Sequence, residues 1–174
     1  MKFDPKAYGP LVEGILALDG SGERLMPLAS GECSSAEALA KLQAAGPARL
    51  FPKSRAPEAA LSGLYLYFSC RDQAHEVAQS IESAEGAFWH GIVHRQEPDA
   101  SNARYWFARV GPHPVLDKLA ELSGGRWDPV EFIDVCERAC REPGSPLART
   151  ALEKQRAEWQ LLFDYCAREG SGAL

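Results

Sequence analysis

The sequence has no apolar run long enough to cross a membrane. The longest such stretch, GLYLYF at residues 63–68, falls far short of the ~20 residues that span a bilayer. The first residues, MKFDPKAYG, lack the basic-then-apolar order of a secretory signal peptide. We therefore expect a cytoplasmic protein that does not bind membranes.

Concentrated positive charge is also missing. No cluster of Lys and Arg is longer than a pair, and the formal net charge is −5. Proteins that bind nucleic acid usually carry a basic patch. DNA and RNA are therefore not expected as partners.

The five cysteines do not form a metal or disulfide motif. Their number is odd, none is spaced as CxxC, and Cys136 and Cys140 lie one turn apart on a predicted helix. This spacing argues against a disulfide framework and against a zinc ribbon. We expect buried free thiols, because unpaired cysteine is among the most buried residue types.

Strand-like alternation is nearly absent, whereas helical periodicity with capping signals runs along most of the chain. With 174 residues, 45% of them hydrophobic and 25% charged, the chain can form one domain with its own core. We predict an all-α single domain over residues 1–174, a bundle of about seven or eight helices. Residues 1–56 are expected to form a less regular arm or lid, and residues 57–170 the helical core.

Proline, glycine and capping residues divide the chain into helices. GLYLYF could instead form a strand, but no partner strand is visible, so we favour a helix there. From residue 57 onward the helices cover approximately residues 57–68, 70–81, 84–96, 100–110, 114–123, 129–141 and 148–168, preceded by two weaker ones at about 10–19 and 36–45.

Residues 86–110 have the spacing of a helical hairpin from tetratricopeptide repeats, GAFWHGIVHRQEPDASNARYWFARV. No second copy follows at a fixed period, so a repeat array is not predicted. Within this hairpin we expect Trp89, Trp106 and Phe107 to be largely buried. Trp127 and Trp159 are expected to be core or interface anchors.

The run FWHGIVHRQEPDASNARYWFARVGPHP, residues 88–114, holds three of the four histidines and two of the four tryptophans. It resembles the signature of a family of small uncharacterised bacterial and fungal proteins. The resemblance extends from Leu64 to Ala167, through DQAHEVAQ upstream and RAEWQLLFDYC near the C-terminus, and leaves residues 1 to about 60 outside. That family has no established activity, so the resemblance implies where a site lies and not which reaction it performs.

Three successive predicted helices each carry a stripe of polar side chains. Each residue of an α-helix is rotated by about 100° from the one before it, so residues three, four or seven positions apart lie on the same face. Short turns would pack the helices as antiparallel neighbours, with the imidazoles within about 10 Å around one cleft and Arg109 or Tyr105 on its rim. The stripes are Asp72, His75 and Gln79 on the first helix, His90, His94 and Glu97 on the second, and Asn102, Tyr105 and Arg109 on the third, with Trp106 beside them.

Two histidines one turn apart, with a carboxylate on the same stripe, can reach a single cation such as Zn²⁺ or Fe²⁺. His90 and His94 form this pair, and His75 is the expected third ligand. Asp72 or Glu76 would orient His75 as an outer carboxylate. The pattern lacks the Glu of HExxH, however, and His90 or His94 taken alone fits a hydrogen-bonded core residue better than a metal ligand.

Without a metal, the same groups fit a small-molecule pocket. Glu97 could keep a histidine protonated, and Arg95 or Arg109 could hold a carboxylate or phosphate. An ion pair with Glu97 or Asp99 is the alternative for both arginines. The stripe through Asp72 also fits an ordinary solvated helix face.

His113, between two prolines, is a rigid turn residue that could reach the same cleft. No nucleophile elbow, P-loop or dinucleotide-binding fingerprint is present in the sequence.

We therefore expect an enzyme or a small-ligand-binding protein with a polar, histidine-rich cleft and a possible zinc or iron ion. The alternative is a helical interaction module without catalytic activity. A homo-oligomer is compatible with either. The catalytic candidates are His90, His94, Glu97 and Arg109; the ligand-binding candidates are Asp72, His75, Gln79, Arg95, Asn102, Tyr105, Trp106 and His113; the metal candidates are His75, His90 and His94.

Overall fold

A computed structural model describes residues 2–29 and 31–170 of the chain. Within those ranges the fold is all-α, as predicted, and the only strand-like feature is an isolated bridge between Ser54 and Glu169. No helix in the described ranges is both long and apolar enough to span a bilayer. The α-helices of these ranges are α1 (Pro10–Leu16), α2 (Ala36–Leu50), α3 (Pro57–Tyr67), α4 (Arg71–Gln79), α5 (Ala84–Gln96), α6 (Ala100–Val110), α7 (Pro114–Leu122), α8 (Pro129–Arg141) and α9 (Pro146–Ala167).

Capping side chains fix where several helices begin. Ser35 accepts a hydrogen bond from the Ala38 amide at 3.1 Å, and Asp128 accepts one from the Val130 amide at 2.8 Å. Such caps satisfy amides that have no partner inside the helix. Ser145 caps α9 in the same way, and α9 therefore begins at Pro146, slightly earlier than predicted.

The predicted break at residues 46–47 is present, but the chain resumes a helical turn after it. Gly46 has φ 66°, in the left-handed region that favours glycine. Pro47–Leu50 then form one further turn, so part of the segment predicted as a loop is helical.

The GLYLYF segment forms the second half of α3 and is the centre of the bundle. Every residue of α3 from Ala59 to Tyr67 is buried, and α3 packs against α2, α4, α5 and α9. The carbonyl of Gly63 accepts a hydrogen bond from the Trp159 indole at 2.8 Å. The helix is therefore stabilised by neighbours on every side, and the strand alternative is wrong.

An aromatic cluster joins the two ends of the chain in the main core. Trp159 and Phe163 of α9 stack at 4.9 Å with an interplanar angle of 8°. Phe3 packs against both rings, and Val12 and Leu16 of α1 are buried in the same core. The segment expected to be an arm or lid thus contributes side chains to the main core.

The cysteine prediction needs correction. Cys33 and Cys70 form a disulfide, with Cα atoms 4.4 Å apart and a sequence separation of 37. The loop before α2 returns to the end of α3, where the Ser34 amide donates to the Phe68 carbonyl at 2.7 Å. The remaining cysteines are free thiols, of which Cys136 and Cys166 are buried and Cys140 is exposed.

Candidate metal centre

The structure brings together the three histidines expected as metal ligands. Helices α4, α5 and α6 follow one another through short turns and pack side by side. One ring nitrogen from each of His75, His90 and His94 lies within 4.8 Å of the others. His75 Nε2 and His90 Nε2 are 3.0 Å apart.

The rings of this histidine cluster, His75, His90 and His94, are held by stacking. His90 lies between Trp106, at 4.0 Å and 22°, and His94, at 4.7 Å and 18°. His75 meets both of the other imidazoles edge-on, at 4.6 Å from His90 and 5.2 Å from His94. These contacts leave the rings little freedom to rotate, so the nitrogen atoms are preorganised.

The cluster is packed, and this corrects the expectation of an open cleft. His90 is 4% exposed and His94 is 8% exposed, whereas His75 is only half-buried. The Nδ1 atom of His90 is buried and has no hydrogen-bond partner. Solvent can therefore approach the cluster mainly from the side of His75.

Burial also determines whether the imidazole of His90 is charged. It lowers the pKa of His90 to about 4, with a further contribution from positive charge on His75 and His94. His90 is therefore neutral near pH 7. A neutral imidazole is the form that binds a metal ion.

Glu97 and Arg71 support the cluster from one side. Glu97 Oε2 lies 2.8 Å from His94 Nδ1, and Glu97 Oε1 lies 3.4 Å from Arg71 Nε. Carboxylates in this position commonly orient a metal-binding histidine. Arg71 was not among the residues predicted for the site, although its position four residues before His75 places it on the same helix face.

Arg95 is not part of the histidine cluster, and the ion pair predicted for it with Glu97 or Asp99 is not formed. Its side chain is completely buried and pairs with Glu158 of α9, at 2.5 Å and 3.1 Å, and not with Glu97 or Asp99. One residue after His94, it points about 100° away around the helix. Gln155 accepts a further hydrogen bond from it at 3.3 Å.

Three candidates of α6 form an exposed rim beside the cluster. Trp106, which stacks on His90, is partly buried. Tyr105 is 55% exposed. Arg109 lies over both rings, 5.6 Å from Tyr105 and 5.5 Å from Trp106, and is itself exposed.

Three further candidates lie on exposed helix faces. Asp72 and Gln79 are exposed on α4, and Asp72 pairs with its neighbour Arg71. Asn102 donates its side-chain amide to Asp99 at the start of α6, at 2.7 Å. These positions are consistent with an ordinary solvated helix face.

His113 is buried but belongs to a different contact. Its Nδ1 atom accepts a hydrogen bond from the Val115 amide at 3.2 Å and so caps α7. Its Nε2 atom lies 3.8 Å from Glu85 Oε1, and its ring packs on Tyr165 at 4.7 Å. Because Glu85 is at the opposite end of α5 from His94, the structure separates His113 from the cluster.

No family model matches the chain, and no curated protein or solved structure shows significant similarity to it. The family resemblance of residues 64–167 therefore stays a prediction. The tetratricopeptide-like character of the α5–α6 hairpin also stays a prediction. What can be said about function rests on the geometry of the site.

Proposed function

We propose that the protein binds one divalent transition-metal ion, zinc or iron, through His75, His90 and His94, and uses it in an enzymatic reaction on a small anionic molecule. The observation that carries this proposal is the convergence of three ring nitrogens from two helices within 4.8 Å. A site with three protein ligands keeps a position for water, and zinc lowers the pKa of that water to ~7.

The spacing of the nitrogens supports a metal. Ligand nitrogens at ~2.0–2.1 Å from tetrahedral zinc are about 3.3 Å from each other. The His75 and His90 Nε2 atoms, 3.0 Å apart, are already close to this spacing. One ring nitrogen of His94 lies within 4.8 Å of a ring nitrogen of each of the other two histidines.

The surroundings of His94 support the same assignment. Glu97 faces its Nδ1 atom, which leaves Nε2 for the ion. Arg71 Nε lies 3.4 Å from the other oxygen of Glu97 and places a positive charge beside that carboxylate. We therefore assign Glu97 an orienting role and not direct coordination.

Arg109 suggests the chemical class of the substrate. Among the described residues it forms no ion pair with a carboxylate, and it lies on the exposed rim next to the cluster. A guanidinium in this position can bind a carboxylate or phosphate through two parallel hydrogen bonds. Tyr105 and Trp106 would form the wall against which the rest of the molecule packs.

Elemental analysis of untagged protein tests the proposal. After growth in metal-supplemented medium and dialysis, we expect about one zinc or iron ion per chain in the wild type. His75→Ala, and His90→Ala combined with His94→Ala, should lose it. His113→Asn is the matched control, because it changes the one other histidine and keeps a capping side chain for α7. A wild-type protein without bound metal would refute the proposal.

The alternative, an interaction module that presents the α5–α6 hairpin, has less support. Trp89 is fully buried and Trp106 is partly buried under contacts with His90. Interfaces usually depend on exposed aromatic anchors. On this hairpin only Tyr105 is an exposed large hydrophobic residue.

A further inference from the structure

The Cys33–Cys70 disulfide lies at the start of the helix that supplies His75. Cys70 is the residue immediately before α4, and Cys33 belongs to the loop before α2. The bond therefore ties the first turn of α4 to a segment from another part of the chain. Any loosening of that turn is transmitted to His75, which lies one turn further along.

A second path connects the disulfide to the cluster through side chains. Arg71 directly follows Cys70, and its Nε atom is 3.4 Å from Glu97 Oε1. Glu97 Oε2 is in turn 2.8 Å from His94 Nδ1. The position of the first turn of α4 thus affects one ligand directly and a second ligand through its orienting carboxylate.

The disulfide is accessible from a surface cavity. A cavity of about 240 Å³ is lined by both cysteines and by Arg71, and exposed residues such as Glu32 and Asp72 form part of its wall. Cys70 is 2% exposed, whereas Cys33 is only partly buried. A thiol that enters the cavity would therefore meet the sulfur of Cys33 first.

We propose that the Cys33–Cys70 disulfide is a redox switch for the metal centre, and that its reduction weakens metal binding. This inference rests on the metal-binding function proposed above. A dithiol is the expected reductant. One of its thiolates attacks Cys33 Sγ, which forms a mixed disulfide and releases Cys70 as the thiolate. The second thiol of the reductant then displaces Cys33, so that the reductant leaves as a disulfide and the protein gains two electrons and two protons as two thiols.

Other contacts keep the reduced protein folded. The Ser34 amide donates to the Phe68 carbonyl at 2.7 Å and Arg24 Nη2 donates to Ser69 Oγ at 3.1 Å, and neither contact involves a cysteine side chain. Reduction should therefore loosen α4 and not unfold the bundle. Disturbing the groups that orient metal ligands typically lowers metal affinity 10- to 100-fold, and we expect a loss of about ten-fold here.

The state of the cysteines is measured first. The full-length untagged protein, denatured and alkylated without reductant, should carry three modified cysteines by mass spectrometry, and five after reduction. Five modified cysteines without reduction would overturn the proposal. Treatment with a phosphine is preferred for the next step, because dithiols bind zinc themselves.

Zinc affinity is then compared between oxidised and reduced protein by competition with a chromophoric chelator. Reduced wild type and Cys33→Ser should bind zinc about ten-fold more weakly than oxidised wild type, and the phosphine should not change Cys33→Ser further. Cys140→Ser, which alters an exposed free cysteine, should behave as the wild type. Arg71→Gln in the oxidised protein should also weaken binding, because it removes the support of Glu97.

The outcomes separate the two proposals. Equal zinc affinity in oxidised and reduced wild type overturns the switch and leaves the metal centre intact. Absence of zinc binding in the oxidised wild type overturns the metal centre, and the switch with it. Circular dichroism of each form identifies a variant that has unfolded, in which case the phosphine-treated wild type decides.

Discussion

Arg95 and Glu158 form a fully buried ion pair, and the replacement of Glu158 alone should be strongly destabilising. Both side chains are 0% exposed. Arg95 donates to the two carboxylate oxygens at 3.1 Å and 2.5 Å, and to Gln155 at 3.3 Å. Phe132 packs on the guanidinium at 4.7 Å and excludes water. A buried charge that loses its partner in such surroundings has no solvent to replace it.

The expected cost follows from what Arg95 retains. Breaking a buried ion pair by removing one partner typically costs about 3–5 kcal/mol. Glu158→Gln keeps one oxygen that can accept a hydrogen bond, and Gln155 remains, so we expect the lower end, about 3 kcal/mol. Replacement of both residues, Arg95→Met with Glu158→Leu, removes the charges together and should stay within about 1 kcal/mol of the wild type or exceed it.

Urea unfolding measures these differences through the fluorescence of the four tryptophans, among which Trp159 is buried next to Glu158. The free energy of unfolding of the two variants is compared with that of the wild type near pH 7. A loss below about 1 kcal/mol for Glu158→Gln would show that the pair is solvated or unnecessary. A double variant as unstable as the single one would refute the argument that the uncompensated charge is the cause.

Three further outcomes are expected. Phe107→Ala should cost about 3–5 kcal/mol in the same assay, because Phe107 is 4% exposed, whereas Tyr105→Ala, at a 55% exposed position, should change stability by less than about 0.5 kcal/mol. Gly63→Ala should cost about 1–3 kcal/mol, because its Cβ atom would lie 2.6 Å from the ring of buried Trp89; no loss would show that the ring moves freely. Burial, and then the neighbouring imidazoles, lower the pKa of His90 from 6.5 to about 4. The unfolded chain therefore binds the proton first, and the metal-free protein should be fully stabilised above about pH 6.5 and lose about 2 kcal/mol as the pH falls to about 4, after allowance for screening. His90→Phe should remove this part of the pH dependence of urea unfolding, and an unchanged profile would contradict the assignment.

The bounds of most helices could be predicted because the residues that begin or end a helix act within one turn of it. Asp128 followed by Pro129, for example, combines a cap with a residue suited to the first turn, and α8 begins there. The grouping of the histidines was predictable for a related reason. His90 and His94 share a face of one helix, and a short turn places α4 beside it with His75.

Contacts between distant segments could not be predicted in this way. Glu158 is 63 residues from Arg95 in sequence, and Cys33 is 37 residues from Cys70. Whether such pairs meet depends on how whole helices pack, which the spacing of residues within one helix does not encode. Arg71 could have been predicted from the sequence, since it is on the same helix face as His75.

The burial of α5 gives the strongest reason to assign a functional role to its histidines, His90 and His94, and a structural role to Arg95. Every residue of this helix from Gly86 to Gln96 is buried, so each polar side chain on it requires a partner. Arg95 has one in Glu158, which binds two of its nitrogen atoms without any ligand, although Arg95 Nε has no partner. His90 has only another imidazole at Nε2 and nothing at Nδ1. A core under selection for stability alone would favour an apolar ring at the position of His90. Natural proteins retain buried polar groups that lack a partner mainly where function requires them. The proposed metal ion would take the place of the contact between the Nε2 atoms of His75 and His90. His75, the most exposed ring of the cluster, lies on the side from which that ion and a substrate would enter.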